Sequence, residues 1–328
     1  MRIAVSGSIA DDYLLTFPGR FADMILPEQL ERLSLSFLAD DLTHHRGGIG
    51  ANISYGMGQL GVRPLLVGAV GEDFDTGYRQ WLERHGVDCS GVHISEKATA
   101  RFLCTTDAAQ SQIATFYAGA MSDSHEISLA DVASRNGGID LVMVSPAGPE
   151  GMLRHTREAH ELGIDLFADP SQQLARMGGE EIRELVEGAA YMVCNDYERG
   201  LIASKTGWTD EELADRVGVL VTTHGAKGAT IERSGEPTSS LPAVAPADGV
   251  ALEPTGAGDA YRAGFLSGMA VGLDLDRCGQ LGCAVATMAL ETSGPQGYAV
   301  APEGLRDRLA VTYGPDDAEA VVSALPLA

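Results

Sequence analysis

An α/β fold is predicted for the 328 residues: a central, mostly parallel sheet with helices on both faces, and a small β lid over one edge. Two observations predict it. From about residue 139, short apolar runs alternate with stretches of helical periodicity, which is how a parallel sheet covered on both faces reads. Two segments, at about 13–45 and 98–119, break that alternation with β-type patterning, and two β insertions in one α/β unit can pair into a second layer. Length alone allows one large domain or two smaller ones. With no repeat and no linker between halves, residues 1–328 read as a single domain.

The elements follow in order. The first strand is Ile3–Ser6, running into a glycine turn at Gly7. Residues 13–45 are irregular and hold Pro18 and Pro27. Within them Leu33, Leu35 and Phe37 alternate with Ser34 and Ser36, which predicts a half-buried strand. Helical character starts near Gly50 and stops at Gly61, with a strand after it over Pro64–Val70. Arg101–Thr106 and Gln112–Tyr117, separated by a polar turn, predict a β-hairpin. Strands come next at Leu141–Val144, Ile164–Ala168, Tyr191–Asn195 and Leu220–Thr223, with helices between them near 150–162, 180–187 and 196–205. Residues 234–250, rich in Pro, Ser and Ala, predict a loop with short strands. Two long helices close the pattern at about 257–271 and 277–292.

Composition narrows the function. The chain has 23 Lys+Arg against 46 Asp+Glu, a formal charge of -23. So acidic a surface repels phosphate backbones and argues against nucleic-acid binding, though not against a small phosphate ligand. The five cysteines, an odd number with no C-x-x-C, suit a reduced cytoplasmic protein. The short apolar run at the N-terminus meets Asp11 and Asp12 at once, too soon for a signal peptide, and no stretch has the length of a membrane span.

Gly56-Met57-Gly58-Gln59-Leu60-Gly61 has the glycine spacing of a dinucleotide turn, but it ends a helix instead of opening one. It therefore reads as helix packing and a C-cap. His155 and His160 fall on different faces of a helix, and the adjacent His44 and His45 point oppositely from a strand; neither pair suits a metal.

The informative string is Glu253-Pro254-Thr255-Gly256-Ala257-Gly258-Asp259-Ala260-Tyr261-Arg262. A Gly-Ala-Gly turn opening a helix leaves backbone N–H groups free at the positive end of the helix dipole, which is an anion site. Asp259 falls in the first turn, where an aspartate also simply favours a helix start. Beside an anion nest, however, a carboxylate is unfavourable unless it handles a proton, which points to a general base for phosphoryl transfer. In Arg46-Gly47-Gly48-Ile49-Gly50-Ala51-Asn52, paired glycines let a ligand approach the backbone and Asn52 can bind a hydroxyl. Taken alone, that string reads first as a tight turn and a helix cap.

Together the two strings resemble the signature motifs of the ribokinase-like (PfkB) family of sugar and nucleoside kinases. The likeness extends to Gly7-Ser8-Ile9-Ala10-Asp11-Asp12, to Asn195-Asp196-Tyr197-Glu198 and to Thr222-Thr223-His224-Gly225-Ala226-Lys227-Gly228, so it covers nearly the whole chain. Within the family the chain is most similar to the actinobacterial adenosine kinases, through residues 17–21, 33–38, 116–122 and 168–176.

The resemblance implies a ribokinase-like fold and an ATP- and Mg2+-dependent kinase for the 5′-hydroxyl of a purine nucleoside, adenosine foremost. Asp259 would be the base and Gly256, Ala257 and Gly258 the anion hole, with Arg176 offsetting charge on the transferred group. Asp12 would bind the ribose hydroxyls, with Ser8, Gly48 and Asn52 beside it. Phe102 and Phe116 would hold the base, and Gln172 and Gln173 would line the substrate side. Asn195, Thr223, Gly225 and Lys227 would serve ATP, while Asn195 and Glu198 would act on magnesium through water or phosphate. A monovalent cation and a homodimer through the lid also fit the family. Two departures from the family stand out: Glu253, where the family has an Asp that supports the loop, adds a methylene there, and Ser145-Pro146-Ala147-Gly148-Pro149 replaces a polar stretch on the substrate side. The alternative is a kinase for a free sugar or a modified nucleoside. A second alternative is a non-catalytic ligand-binding protein on the same fold, against which Asp259 and its glycines stand.

Overall fold

The structure, a computed structural model, describes residues 1–25, 34–247, 249 and 255–327. Leu33, Glu253 and Pro254 lie outside the described residues. Strand β1 (Ile3–Ser6) is followed by β2 (Ala10–Thr16), a short helix α1 (Phe21–Met24), β3 (Asp41–Gly47), α2 (Ile49–Gln59) and β4 (Leu65–Gly71). Then come α3 (Tyr78–Arg84), β5 (Asp88–Ser95), β6 (Ala100–Thr106), β7 (Gln112–Tyr117) and α4 (Leu129–Arg135). The alternating region holds β8 (Leu141–Val144), α5 (Pro149–Leu162), β9 (Asp165–Ala168), α6 (Gly179–Val186), β10 (Tyr191–Asn195), α7 (Asp196–Thr206), α8 (Asp210–Asp215) and β11 (Val219–Thr223). Strands β12 (Ala229–Glu232) and β13 (Ser239–Leu241) precede α9 (Ala257–Ala270), α10 (Leu275–Leu290), α11 (Pro302–Tyr313) and α12 (Pro315–Ala324).

The main sheet has nine strands in the order β13-β12-β11-β10-β9-β8-β1-β4-β5. It is parallel from β11 to β5, with β12 and β13 antiparallel at one edge. The two-residue period of each strand divides its apolar side chains between two cores. Ile3, Val5, Leu141 and Met143 face the layer of α2 and α9–α12, whereas Ala4, Val142 and Val144 face α4–α8. The chain leaves β1 for β4 on one side and later builds β8 on the other. Strand order therefore reverses at the carboxyl end of β1, where open α/β sheets form a ligand crevice.

The second sheet is the predicted lid, in the order β3-β2-β6-β7. Parallel pairing of β2 with β6 joins the two insertions. The lid begins at Ala10, not near residue 13, so Asp12 rides on the lid instead of closing the first strand. The strand expected around Leu35 and Phe37 is not formed. Residues 34–39 do alternate in burial, but the burial comes from packing: the Phe37 ring lies 5.1 Å from Phe17 and 4.8 Å from Phe21. The glycines near the end of α2 do serve packing, as expected: side chains at Gly56 and Gly58 would strike Tyr298, Ala263 and the His85 carbonyl. No helix among the described residues is long and apolar enough to cross a membrane.

Candidate active site

From the carboxyl end of β1 the chain passes through Gly7 and Ser8 into the lid. Ser8 Oγ accepts a hydrogen bond from the Ile49 amide at 3.0 Å and so anchors the start of α2. Gly48 has φ +91, and any Cβ there would collide with the backbone of Ser8 and Ala10. Asn52 follows in the first turns of α2, buried, and its Nδ2 donates to Asp259 Oδ2 at 2.8 Å. Residues so far apart in sequence meet because α2 packs along α9.

Helix α9 opens at Gly256, which adopts φ +84. Its Cα faces Pro295 so closely that a Cβ would not fit. A glycine N-cap offers no side chain to the first-turn amides, so they remain available to an anion. Asp259 lies in that first turn, and confinement among protein atoms pushes its carboxyl up from 3.8 to about 6. Desolvation is the main cause; the Asn52 hydrogen bond and the Arg262 charge pull the other way, while Asp169 and Asp12 add to the rise. A carboxylate poised there is ionised at neutral pH yet basic enough to take a proton.

One turn further along α9, Arg262 is buried. Its Nη2 donates to Asp169 Oδ1 at 2.6 Å and its Nη1 to the Gly258 carbonyl at 3.1 Å. Asp169 Oδ2 accepts from Ser145 Oγ at 2.9 Å. This cation thus clamps the start of α9 to the ends of β8 and β9.

A cavity of about 560 Å³ lies between the lid and the start of α9. Ser8, Asp12, Gly48, Asn52, Phe102, Phe116, Gln172, Gly256 and Asp259 all line it. A second cavity, of about 220 Å³, shares Phe102, Phe116 and Gln172 with the first and adds Gln173, Arg176, Met121 and Pro146. Phe102 stands opposite both Asp12 and Phe116 in the lid ladder, so all three present to the same face.

Other expected residues lie elsewhere. Ala257 and Gly258 form the first turn of α9 without lining the cavity. Arg176 is exposed and borders the smaller cavity with the aromatic pair, whereas Asp259 lines the larger one. Asn195 and Glu198 bind each other as a capping box: each side chain accepts from the other's amide at 2.8 Å. Thr223 ends β11, Gly225 turns at φ +57 and Lys227 is exposed. These residues, like Asn195, stand at the carboxyl ends of parallel strands, on the cavity side of the sheet.

Among the described residues no group of three or more His, Cys, Asp or Glu could hold a metal. The donors fit an ion carried by phosphate and water better than a protein cage. Sequence reasoning missed His45, Leu14, Cys104, Gln112 and Pro295, all of which line the larger cavity. Strand parity held the signal for His45. Its neighbour His44 faces the other way, stacking on Tyr13 at 4.8 Å and bonding Asp11 at 2.6 Å.

A family model for pfkB family carbohydrate kinases matches residues 21–301. The chain belongs to the pfkB family of carbohydrate kinases. It is 31% identical over 252 residues to the nucleoside kinase of Methanocaldococcus jannaschii, covering 76% of this chain and 80% of that protein. The structure of that archaeal enzyme, a member of the ribokinase family, superposes with a TM-score of 0.82 over 95% of this chain and 99% of that one, at 26% identity. Burkholderia thailandensis nucleoside kinase in complex with inosine superposes with a TM-score of 0.81 at 34% identity, over 95% of this chain and 98% of that one. The same enzyme in complex with ADP-inosine gives 0.79 at 34% identity, over 95% and 96%. This pfkB kinase therefore carries its lid and its Gly-Ala-Gly-Asp turn on the ribokinase-like fold that the sequence predicts.

Proposed function

We propose that this pfkB kinase transfers the γ-phosphoryl group of ATP to the 5′-hydroxyl of a purine nucleoside. The observation that carries the reading is the make-up of one cavity. It joins a carboxylate at an amide-rich helix start, a second carboxylate on the lid, and two aromatic residues paired side by side on the lid. These suit, in turn, the hydroxyl to be phosphorylated, a vicinal diol and a nucleobase. The similarity to nucleoside kinases, one of them bound to inosine, supports the same substrate class.

Asp259 takes the 5′-hydroxyl proton, and the amides at Gly256–Gly258 face the charge of the transferring group. Asn195, Thr223, Gly225 and Lys227 serve ATP along the strand ends. Mg2+ arriving on the ATP phosphates would neutralise their charge, with Asn195 and Glu198 at its water shell. Arg176 belongs with the base subsite.

The base subsite has one unmet need. Gln173 Nε2 donates to the Ala147 carbonyl at 2.6 Å, so its Oε1 faces the other way, buried and without a partner. A base that offers a donor there is favoured over one that does not. Adenine does so with its exocyclic amine and hypoxanthine with N1–H. Ala147 lies in the stretch that departs from the adenosine kinases, so adenosine and inosine are both proposed acceptors.

Thermal shift with adenosine, inosine and ribose, with and without an ATP analogue, tests the assignment. A nucleoside at a hundred times its Kd adds about 2.7 kcal/mol of stability. Equal stabilisation by ribose would move the reading to a sugar kinase. Nucleoside binding without phosphoryl transfer would move it to a non-catalytic protein. Asp12→Ala is expected to weaken nucleoside binding by about 10–100-fold, the worth of charged hydrogen bonds, and ATP-analogue binding by less than about twofold. Calorimetry showing equal losses for both ligands would remove Asp12 from the sugar subsite.

We further propose a homodimer through the lid. Edge strand β7 is exposed along its length, and Leu42, Leu103 and Ile113 are exposed on the face turned from the cavity. A monomer mass in sedimentation would exclude it.

A further inference from the structure

An asparagine amide has nearly the same shape either way round, and a turned-over Asn52 would offer Asp259 an oxygen instead of an N–H group. A second amide removes that freedom. Gln296, in the segment after α10, donates from Nε2 to Asn52 Oδ1 at 2.9 Å and to the Tyr78 hydroxyl at 2.7 Å. Its Oε1 accepts from the Trp81 indole Nε1 at 2.9 Å. The Tyr78 hydroxyl donates in turn to the Gly47 carbonyl at 2.7 Å. An indole N–H can only donate, and a carbonyl can only accept. With those two ends fixed, Gln296 fits one way round, and Asn52 must then turn Nδ2 toward Asp259. The Trp81 ring is held as well: it lies within 4° of parallel to Tyr55, and the Arg46 guanidinium stands 4.8 Å from its centroid.

We propose that Gln296, oriented by Trp81 and Tyr78, is a positioning residue that sets the polarity of Asn52 and so keeps a hydrogen-bond donor on Asp259. The inference rests on the reading of Asp259 as the base. The direction of the effect follows from charge. A donor favours the ionised carboxylate, so losing it moves Asp259 ionisation upward from about 6. The other groups that act on Asp259 are Arg262 on its own helix, Asp169 beyond β9 and Asp12 on the lid. Tyr298 is also close enough to interact, and His45 lines the same cavity. All five remain in a Gln296 variant. No sequence motif marks this relay; Gln296 stands 244 positions from Asn52.

The test is the pH profile of kcat/KM in Gln296→Met, which keeps the length of the side chain and removes both polar ends. The acid limb is expected to move up by about one pH unit. Activity then falls about tenfold below the limb and stays within about twofold of the parent at about pH 8.5, with KM for ATP unchanged. Trp81→Phe keeps a stacking ring but removes the indole donor, and it should move the limb in the same direction by less. A fall in rate that is uniform across pH in both variants would overturn the proposal, because it would mark a merely structural role.

A second readout needs no turnover: the carboxyl carbon-13 titration of Asp259 in the free enzyme, assigned by its loss in Asp259→Asn. It should move up in Gln296→Met. If Asp259→Asn is inactive while this titration stays put, the relay falls and the base stands. If Asp259→Asn stays active while the titration moves, the base assignment falls and the relay stands.

Discussion

Asp259→Asn is expected to lose turnover by about 10²–10⁴-fold while keeping both substrates bound. Asparagine matches aspartate in size, and its side-chain oxygen can still accept from Asn52 Nδ2, so the start of α9 and its amides should survive. It cannot take a proton from the attacking hydroxyl, which places about 3–5 kcal/mol on the barrier. ATP affinity is expected to hold or improve, since a negative charge near the phosphates has gone. Stability supplies a second readout. The folded-state value of about 6 lies above the ordinary 3.8, so the folded protein keeps the proton through a window where the unfolded chain has lost it. Stability is therefore lost as pH rises through that window, and at neutral pH the wild-type protein carries a charge that its half-buried site solvates poorly. The Asn variant should melt at the same temperature or higher at neutral pH, with the difference shrinking below about pH 4. Single-turnover kinetics and calorimetry on one preparation decide the matter. A folded variant that binds both ligands and turns over within about tenfold of the parent would return Asp259 to the role of a helix cap.

Arg262→Met should cost about 3–5 kcal/mol in equilibrium urea unfolding. The Asp169 side chain is 0% exposed and that of Arg262 7%, so removing the cation strands a carboxylate that water cannot reach. Ser145 still donates to Asp169, but a single neutral hydrogen bond does not replace the ion pair. The same substitution removes the side-chain donor from the Gly258 carbonyl, leaving that first turn held by its helical backbone bond alone. Adding Asp169→Asn should recover part of the stability, because the stranded charge goes with it. A cost below about 1 kcal/mol for Arg262→Met alone would show that solvent reaches the pair.

The sequence showed the alternating half of this fold well, because buried parallel strands such as Leu141–Val144 and Tyr191–Asn195 are short apolar runs between helices. The hairpin of β6 and β7 was readable for a different reason, a polar turn between two β-rich arms. Strand β5, by contrast, mixes Asp88, Cys89, Ser90 and His93 at a sheet edge, where polar residues weaken the pattern. Helices α3 and α8 are too short for a period to declare itself. Helices α11 and α12 bury few residues each, so their apolar stripes are thin. At the candidate site, Asp259 and Asn52 sat in motifs, and the structure joins them by a hydrogen bond at one cavity. Gln296, Tyr78 and Trp81 act through hydrogen bonds between segments far apart in sequence, and no local pattern reports a bond of that kind. Arg262 appeared inside the quoted string, but its partner Asp169 is 93 positions away, and only the fold brings them together.

The root of the lid has a mechanical consequence. Strands β2 and β6 leave the body of the protein side by side at Ala10 and Ala100, with Gly48 wedged against Ala10. Asp12 and Phe102 lie two residues beyond that fulcrum, and Thr16 and Thr106 six. At strand spacing these are arms of about 7 Å and about 20 Å. Any swing of about 15° would displace the first pair by about 2 Å and the outer pair by about 5 Å. Gln112, paired with Thr106, borders the cavity at the far end of the long arm. Rooted this way, the lid has a short arm that carries Asp12 and Phe102 and a long arm that carries its rim, so any given swing moves the rim more than twice as far as the pair beside the root.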